Sequence, residues 1–428
     1  MRAWIRPLLV GTVLVLAAAS CTSSEPESQP SLGEVRIGLL APLSGDGKAA
    51  GAEALRGAQL AASMLNGEDG GQLRNTKIGV PGLQGSTVKV IQADTKNKPD
   101  VAVSQAVRLA EQDAIAGLVG AYDPDVTAAA SQRTERLGIP FVNGDASAGY
   151  LTERGLDWFF RTGPTDRLLG EAVFSTLGQQ AATGATTKRI AVLYADDAPS
   201  NAFAAAIAGL ASEGGYTLVP QRLPVSFQPG PGKSPAGSVQ QVRAARPDAV
   251  VLVASAPVDA QKIVQAIATP GFMPSGIFTL GAGFRQPPAA QAVAQVGAGL
   301  LDGTAWSREA ASRDPAAKAV VIAYEERYHA RMSEVAAGTF TAVVTLATAV
   351  DRARSVDPGR VRAALLNLDI PGRSTIMPWN GVRFDAITHQ NTRATGVVEQ
   401  FLAGSFHVVF PRELGNPAVW PITAARSS

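Results

Sequence analysis

The amino-acid sequence predicts an α/β protein with two doubly wound lobes, each a parallel β-sheet covered by helices. Short apolar runs alternate along the chain with Ala-rich stretches of helical periodicity, which is the rhythm of βαβ units. The rhythm restarts after residues 160–164 and again after Gly303, which favours two sheets over one. The chain has 428 residues, of which 46% are hydrophobic and 17% charged, enough to form two cores.

Residues 1–20 have the layout of a secretory signal, with a short basic start and an apolar run at 8–19. The run is too short to span a bilayer, which takes about 20 residues. The only cysteine, Cys21, follows small residues at the expected cleavage point. This motif resembles the lipobox of bacterial lipoproteins, although Ala18 stands where leucine is usual. We expect an exported protein that is lipidated at Cys21, and a free thiol after an ordinary signal is the alternative.

The charge balance disfavours nucleic acid as a partner. The chain has 38 Lys and Arg residues and 36 Asp and Glu residues, and loss of Arg2 and Arg6 with the signal would balance the two. Without a basic block, nothing in the charge pattern attracts a polyanion. No segment after the signal is expected to be long and apolar enough to cross a membrane. The three histidines are scattered, so we expect neither a metal site nor a cofactor.

A tether and then a βαβ pattern follow the signal. Residues 21–33 are rich in Ser, Pro and Glu and are expected to be flexible. The next predicted strands are 35–41, 88–93, 118–120 and 139–142, and the predicted helices between them include 55–65 and 101–112. Their nearly continuous apolar character is typical of parallel strands that are buried on both faces.

The second half repeats this pattern and then changes. Strands are predicted at 189–194, 249–253 and 277–280, with a Pro/Gly-rich surface loop at 228–237. Helices are predicted at 316–332, 340–353 and 361–366, and further strands within 381–411.

The candidate site follows from a rule for open parallel sheets, in which ligands bind beyond the carboxyl ends of the strands. The loops that the rule selects are 42–47, Asp94, 122–125, 143–147, 194–197, 255–258 and 281–284. If the two lobes face each other, these loops line one cleft. Several of the loops carry aspartates that could serve an enzyme as acids or bases, but aspartates at strand ends are also common helix caps. We therefore expect no catalytic residue.

Several motifs lie in order over almost the whole chain. They are 35–45 (Val-Arg-Ile-Gly-Leu-Leu-Ala-Pro-Leu-Ser-Gly), 57–62, 151–155 with 160–162, 188–194, 323–328, and 382–385 with 390–392. Together they resemble the leucine-binding family of type I periplasmic binding proteins, the substrate-binding proteins of ABC transporters. The resemblance implies the periplasmic-binding-protein type I fold, with a three-strand hinge and an interlobe ligand cleft. It also implies discontinuous lobes, lobe 1 at 34–164 and 305–376 and lobe 2 at 165–304 and 377–428.

The same resemblance implies capture of a ligand rather than its conversion. The lobes would close on a small polar ligand, an amino acid or an amino-acid-like amide or amine, and deliver it to an ABC permease. The protein would act as a monomer attached to the membrane by its lipid. A sensor or receptor with the same fold is an alternative, and a carboxylate-dependent enzyme is a weaker one.

The family's ligand contacts can be carried over by position. The resulting candidates are Ser44, Ala50, Tyr122, Asp123, Asp125, Asp145, Ala146, Ser147, Asp197, Pro199, Ser255, Ala282 and Phe284. Large aromatic residues of the family are replaced by Ala50 and Pro199. The ligand is therefore expected to be bulkier than leucine, unless Tyr122, Phe284 or another side chain fills the space.

Acids also replace the hydroxyl groups that would hold a ligand carboxylate, at Asp123 and Asp125. A carboxylate repels another carboxylate but forms a strong hydrogen bond with an ammonium or amide N–H. These positions therefore favour a ligand with cationic or donor groups. The equal alternative is that the two aspartates cap the helix that follows them.

Overall fold

The computed structural model describes Met1 and residues 31–422, apart from residues 46, 69–75, 77, 80–81, 183, 269–270 and 273. The predicted signal segment, Cys21 and most of the predicted tether lie outside the described residues.

The first sheet is parallel, with its strands in the order β2-β1-β3-β4-β5. These strands are β1 (Glu34–Ala41), β2 (Thr87–Asp94), β3 (Gly117–Gly120), β4 (Phe141–Asn143) and β5 (Phe159–Arg161). Side chains alternate between the two faces of the sheet. Ile37 and Leu39 pack into one core, whereas Leu40 and Leu118 pack into the core on the opposite face. Burial on both faces explains the continuous apolar runs in the sequence.

The second sheet has the order β15-β14-β11-β10-β9-β6-β7, with β8 also paired to β6. Its strands are β6 (Arg189–Ala195), β7 (Thr217–Leu218), β8 (Val225–Phe227), β9 (Ala249–Val253), β10 (Gly276–Leu280), β11 (Leu301–Thr304), β14 (Val397–Leu402) and β15 (Ser405–Phe410). The central strands are parallel, and β14 pairs antiparallel with β11 and with β15. A separate pair consists of β12 (Asp369–Pro371) and β13 (Gly381–Arg383).

Helices cover both sheets. They are α1 (Lys48–Asn66), α2 (Pro99–Gln112), α3 (Pro124–Leu137), α4 (Asp166–Ala181), α5 (Ala198–Glu213), α6 (Ala236–Ala244), α7 (Pro257–Ile267), α8 (Ala289–Val296), α9 (Arg308–Ala311), α10 (Pro315–Tyr328), α11 (Glu334–Ala353) and α12 (Pro358–Leu366). Helices α1 and α11 pack so closely that a Cβ atom at Gly57 would lie 2.2 Å from the carbonyl oxygen of Ala336. Helix α11 therefore belongs with the first sheet although it follows the second in the chain.

Helix α11 is, within the described part of the chain, the one helix long and apolar enough to cross a membrane. Of its apolar stretch, 89% is buried inside the protein, which is the pattern of a core helix. The expectation that no segment after the signal meets this criterion is wrong. A helix enclosed by other elements is apolar on all sides, as a membrane helix is.

Several elements differ from the sequence prediction, among them α10, α11 and β11. Helix α10 ends at Tyr328, because His329 takes a left-handed φ of 49°, and α11 begins after Ser333, whose side chain accepts from the N–H of Ala336. Strand β11 was not predicted, since Asp302 interrupts its apolar pattern. Arg285 Nε lies 2.5 Å from Asp302 Oδ2, so the buried acid is paired.

The chain passes between the two sheets after β5, after β11 and before β14. The first and third crossovers are hydrogen-bonded to each other. Arg161 N–H donates to His389 O (3.1 Å), and Asn391 N–H donates to Arg161 O (2.9 Å). The predicted fold class, two parallel-sheet lobes with a three-strand hinge, is confirmed.

Candidate functional site

A cavity of about 100 Å³ lies where loops of both lobes converge at the carboxyl ends of their strands. Its lining residues are Tyr122, Asp123, Pro124, Asp145, Ala146, Ser147, Ala148, Asp166, Pro199, Phe203, Ser255, Gly281 and Ala282. The loops after β3 and β4 supply the first-lobe wall, and the segments after β6, β9 and β10 supply the second. The strand-end rule selects this same edge of both sheets.

A larger open cavity of about 850 Å³ lies between α6 and the residues Ala266, Gly271, Phe272 and Pro274. Its lining comes from the second lobe alone, near the amino ends of β9 and β10. The smaller cavity is the candidate site, because it has walls from both lobes.

Tyr122 bridges the cleft. Gln286 Nε2 in the second lobe donates to its hydroxyl oxygen at 2.9 Å. The backbone of Tyr122 has a φ of 78°, a left-handed conformation that a non-glycine residue adopts at a cost of about 1–3 kcal/mol. Burial raises the pKa of the phenol, so the hydroxyl remains protonated. Tyr122 is thus an aromatic residue in the cavity wall, as the sequence analysis allowed when it named Tyr122 as a residue that could fill the cleft.

Asp123 caps α3 and lines the cavity at the same time. Its Oδ1 accepts from the N–H groups of Asp125 (2.9 Å) and Val126 (3.2 Å), and Pro124 occupies the first helical turn. Burial raises the pKa of the Asp123 carboxyl. Asp125 is exposed, does not line the cavity, and accepts from the Tyr150 hydroxyl at 3.1 Å.

Asp145 is a half-buried acid of the first-lobe wall. Thr339 Oγ1 in α11 donates to its Oδ2 at 3.0 Å, whereas its Oδ1 is buried without a hydrogen-bond partner among the described residues. Burial, and to a smaller extent the charges of Glu334 and Glu53, raise the pKa of Asp145 to about 8, against the lowering effect of the hydrogen bond from Thr339. The site therefore holds one carboxyl oxygen whose hydrogen-bonding capacity is unused.

Two hydrogen bonds fix the loop after β4. Asn143 Oδ1 accepts from the Ala146 N–H (3.1 Å), and Ser147 O accepts from the Asp166 N–H (2.8 Å). Burial raises the pKa of Asp166 to about 6, while a hydrogen bond from the Ser147 side chain and the charge of Arg161 oppose the rise.

The second-lobe wall is largely apolar. Pro199, Phe203, Gly281 and Ala282 line it, and the hydroxyls of Ser200 and Ser255 lie 3.1 Å apart. Asp197 caps α5 by accepting from the Ser200 N–H at 2.8 Å and does not line the cavity.

Other predicted residues also lie outside the cavity lining. Ser44 donates its hydroxyl to Asp94 Oδ2 at 2.5 Å, Ala50 is buried in α1, and Phe284 lies in the hydrophobic core with 2% exposure. Sequence reasoning missed Asp166 and Phe203. Phe203 lies one helical turn after Pro199, so helical periodicity could have identified it.

The chain matches a family model described as periplasmic binding protein over residues 34–402. It is 27% identical over 404 residues to a Leu/Ile/Val-binding protein homolog 7 of Brucella abortus, covering 92% of this chain and 96% of the relative. A leucine-binding protein structure from Thermotoga maritima has 20% identity and a TM-score of 0.70, with 89% of this chain and all of that chain covered. A solute-binding protein from Rhodopseudomonas palustris in complex with 3,4-dihydroxybenzoic acid has 20% identity and a TM-score of 0.67, with 87% and 95% covered.

Replacement of Tyr122 by Phe removes the hydroxyl that bridges the lobes. Because a hydrogen bond contributes about 0.5–1.5 kcal/mol, the equilibrium between closed and open lobes should shift about 2- to 10-fold toward the open form. Small-angle X-ray scattering should then report a larger radius of gyration for Tyr122→Phe. Tyr150→Phe is the control, since its hydroxyl bonds within the first lobe. Equal radii for wild type and Tyr122→Phe would contradict the bridge.

Asp145 should make stability depend on pH. Its folded pKa of about 8 lies above the unfolded value of about 4, so the folded state holds the extra proton between these limits. Stability is then lost as the pH rises from about 4 to about 8. Asp145→Asn removes this titration. Between pH 5 and pH 8 the free energy of unfolding of wild type should therefore fall by about 3–4 kcal/mol relative to that of Asp145→Asn. Urea unfolding measures the difference.

The matched control is Asp100→Asn, which changes an exposed carboxylate on the same lobe. The pH profile of this variant should follow that of wild type. If the Asp145→Asn profile also ran parallel to wild type, Asp145 would not be the titrating group.

Proposed function

The chain belongs to the periplasmic binding protein family, and from this premise we propose that it captures a small polar ligand between its two lobes and delivers it to an ABC importer. Proteins of this family bind ligands and do not convert them. The observation that carries the proposal is a cavity with walls from both lobes, Tyr122 and Asp145 on one side and Pro199 and Ser255 on the other.

Two-sided walls couple binding to closure. A ligand shifts a conformational equilibrium only through contacts that differ between the two states. Contacts made simultaneously to Ser147 and Ser255 exist only when the lobes are together. To shift the equilibrium from 1:99 to 99:1 the ligand needs a preference for the closed state of about 5.5 kcal/mol.

The ligand class is an amino acid or an amino-acid-like amide or amine, other than leucine itself. The Brucella relative is named for leucine, isoleucine and valine, and the Rhodopseudomonas structure holds a dihydroxybenzoate. Proteins of this fold thus hold ligands of different chemistry. In this chain, the acids at Asp123 and Asp145 argue against a simple leucine site.

Two discontinuous bodies would move in closure, 34–164 with 305–376, and 165–304 with 377–428, except that β13 pairs with β12 and would move with the first body. Packing of α11 on α1 supports assignment of the third segment to the first body. The pairing of β14 with β11 supports assignment of the last segment to the second body.

The protein would be exported and held at the membrane by a lipid on Cys21, with residues 22–33 as a tether, and would act as a monomer. A short tether keeps the trap at a high effective concentration near its permease. The small residues before Cys21 and the apolar run at 8–19 support this part of the proposal.

Capture can be tested with a soluble Cys21→Ser form and a panel of amino acids, amides, amines and aromatic acids. A true ligand at 100 times its Kd should stabilise the protein by about 2.7 kcal/mol and decrease the radius of gyration. Ser147→Ala and Ser255→Ala, one on each lobe, should each weaken binding about 2- to 10-fold. Ser238→Ala should not, since that hydroxyl bonds to Ser226 O within the second lobe.

Two outcomes would contradict the capture function. A ligand recovered in chemically altered form would indicate an enzyme. Binding without compaction of the protein would argue against closure of the lobes.

The lipid anchor is tested in a bacterial host by mass spectrometry of the N-terminal peptide and by membrane fractionation. The wild-type chain should be in the membrane fraction with an acylated N-terminal cysteine, whereas Cys21→Ser should be released. Ser23→Ala, a change in the tether, is the control and should remain with the membrane. Release of the wild-type chain would exclude the anchor.

A further inference from the structure

We propose that the cleft selects an organic cation without a carboxylate, an amine or a guanidinium, and that Asp145 is the residue that anchors it. The inference rests on the capture function proposed above and names the ligand class of that same site.

The ionisable side chains that line the cavity are acidic, apart from the phenol of Tyr122. Among the lining residues, Asp123, Asp145 and Asp166 carry carboxyl groups, and none is Lys, Arg or His. The buried guanidinium of Arg161 does not line the cavity and donates to Ala148 O, Thr152 Oγ1 and Gln390 Oε1. A ligand in this cavity faces acids without a countercharge from the wall.

A ligand carboxylate would need hydrogen-bond donors, such as the free backbone N–H groups at the start of a helix. Helix N-termini bind carboxylates through their free N–H groups. At α3 those of Asp125 and Val126 are already bonded to Asp123, and at α5 that of Ser200 is bonded to Asp197. The N-termini of α3 and α5, two of the helices that begin at the cleft, therefore carry an internal carboxylate where an amino acid would place its own.

Asp145 has one carboxyl oxygen, Oδ1, that accepts no hydrogen bond from the described residues. Thr339 Oγ1 fixes Oδ2, and the other oxygen packs against Gly338, where a Cβ atom would come within 2.5 Å of it. The carboxyl group is therefore held in place by α11, and its Oδ1 has no hydrogen-bond partner among the described residues. A buried acceptor without a partner is costly, so a ligand N–H that reaches it is favoured.

A proton and the ligand cation compete for this group. Burial and the acids that face it, Glu53 on α1 and Glu334 on α11, raise the pKa of Asp145 to about 8. Thr339 opposes the rise with its hydrogen bond, and Arg56 partly offsets the charge of Glu53. A cation that binds here displaces the proton, so its affinity rises between pH 6 and pH 8.

Three compounds on one carbon skeleton separate the ligand classes: leucine, 3-methylbutylamine, which lacks the carboxylate, and 4-methylpentanoate, which lacks the ammonium. 1,4-Diaminobutane is added as a second amine, and agmatine is added as a guanidinium compound. Calorimetry on the soluble Cys21→Ser form should show an amine or guanidinium bound at least about tenfold more tightly than leucine, and no binding of 4-methylpentanoate. Titration in two buffers of different ionisation enthalpy should show proton release on binding.

The variants Asp145→Asn and Asp100→Asn test the anchor, after thermal unfolding has shown that both fold. Asp145→Asn should weaken binding of the cation about tenfold or more and abolish the rise of affinity with pH. The exposed Asp100→Asn should leave both unchanged. Equal affinities for the two variants, or a pH-dependent rise that persists in Asp145→Asn, would overturn the role of Asp145.

The outcomes also separate this inference from the capture function. Tighter binding of leucine or of 4-methylpentanoate than of every amine would overturn the cation proposal while capture stands. If no amine or guanidinium compound bound but another class did, the cation proposal would also be overturned and the capture function would stand. If no class in the panel bound, both would fall.

Discussion

The buried guanidinium of Arg161 is the interaction on which the arrangement of the lobes depends. Its Nε donates to Gln390 Oε1 on the third crossover (2.6 Å), and its terminal nitrogens donate to Ala148 O (2.6 Å) and Thr152 Oγ1 (2.8 Å). Arg161 is 0% exposed, and burial lowers its pKa to about 10, so it stays charged at neutral pH. A buried charge that loses its acceptors costs several kcal/mol. The cavity loop after β4 and the hinge are therefore fixed to each other.

This constraint divides the contacts into two kinds. Those at the hinge, such as the stacked rings of Phe160 and His389 at 4.5 Å and the pairing of Arg161 with Asn391, can persist while the lobes separate. The hydrogen bond from Gln286 to Tyr122 spans the cleft and would break if the lobes opened as proposed. Only contacts of the second kind differ between the states, and only they set the equilibrium that a ligand shifts.

The fold and the site loops could be predicted from the sequence because both depend on local patterns. Apolar runs marked most strands, and the strand-end rule brought Tyr122, Asp145 and Ser255 to one cavity. Tertiary pairing determined the rest. The polar strand β11 depends on a distant partner for its acid, and Asp166 reaches the cavity only because the first crossover turns there. Sequence position could not decide whether Asp123 caps a helix or faces the cavity, since it does both.

The same geometry indicates what must discriminate between ligands. Small residues at Ala50 and Pro199 favoured a spacious cleft, but Tyr122 reaches across it, and the cavity of about 100 Å³ is smaller than the usual pockets of about 300–1,000 Å³. Apolar shape is a weak filter, because one methylene group changes binding by only about 1–3 kcal/mol. A buried polar group that a wrong ligand leaves unpaired rejects it far more strongly. In this wall Asp145 Oδ1 has no hydrogen-bond partner among the described residues, so under the cation proposal selectivity would depend on which ligand can donate to that oxygen.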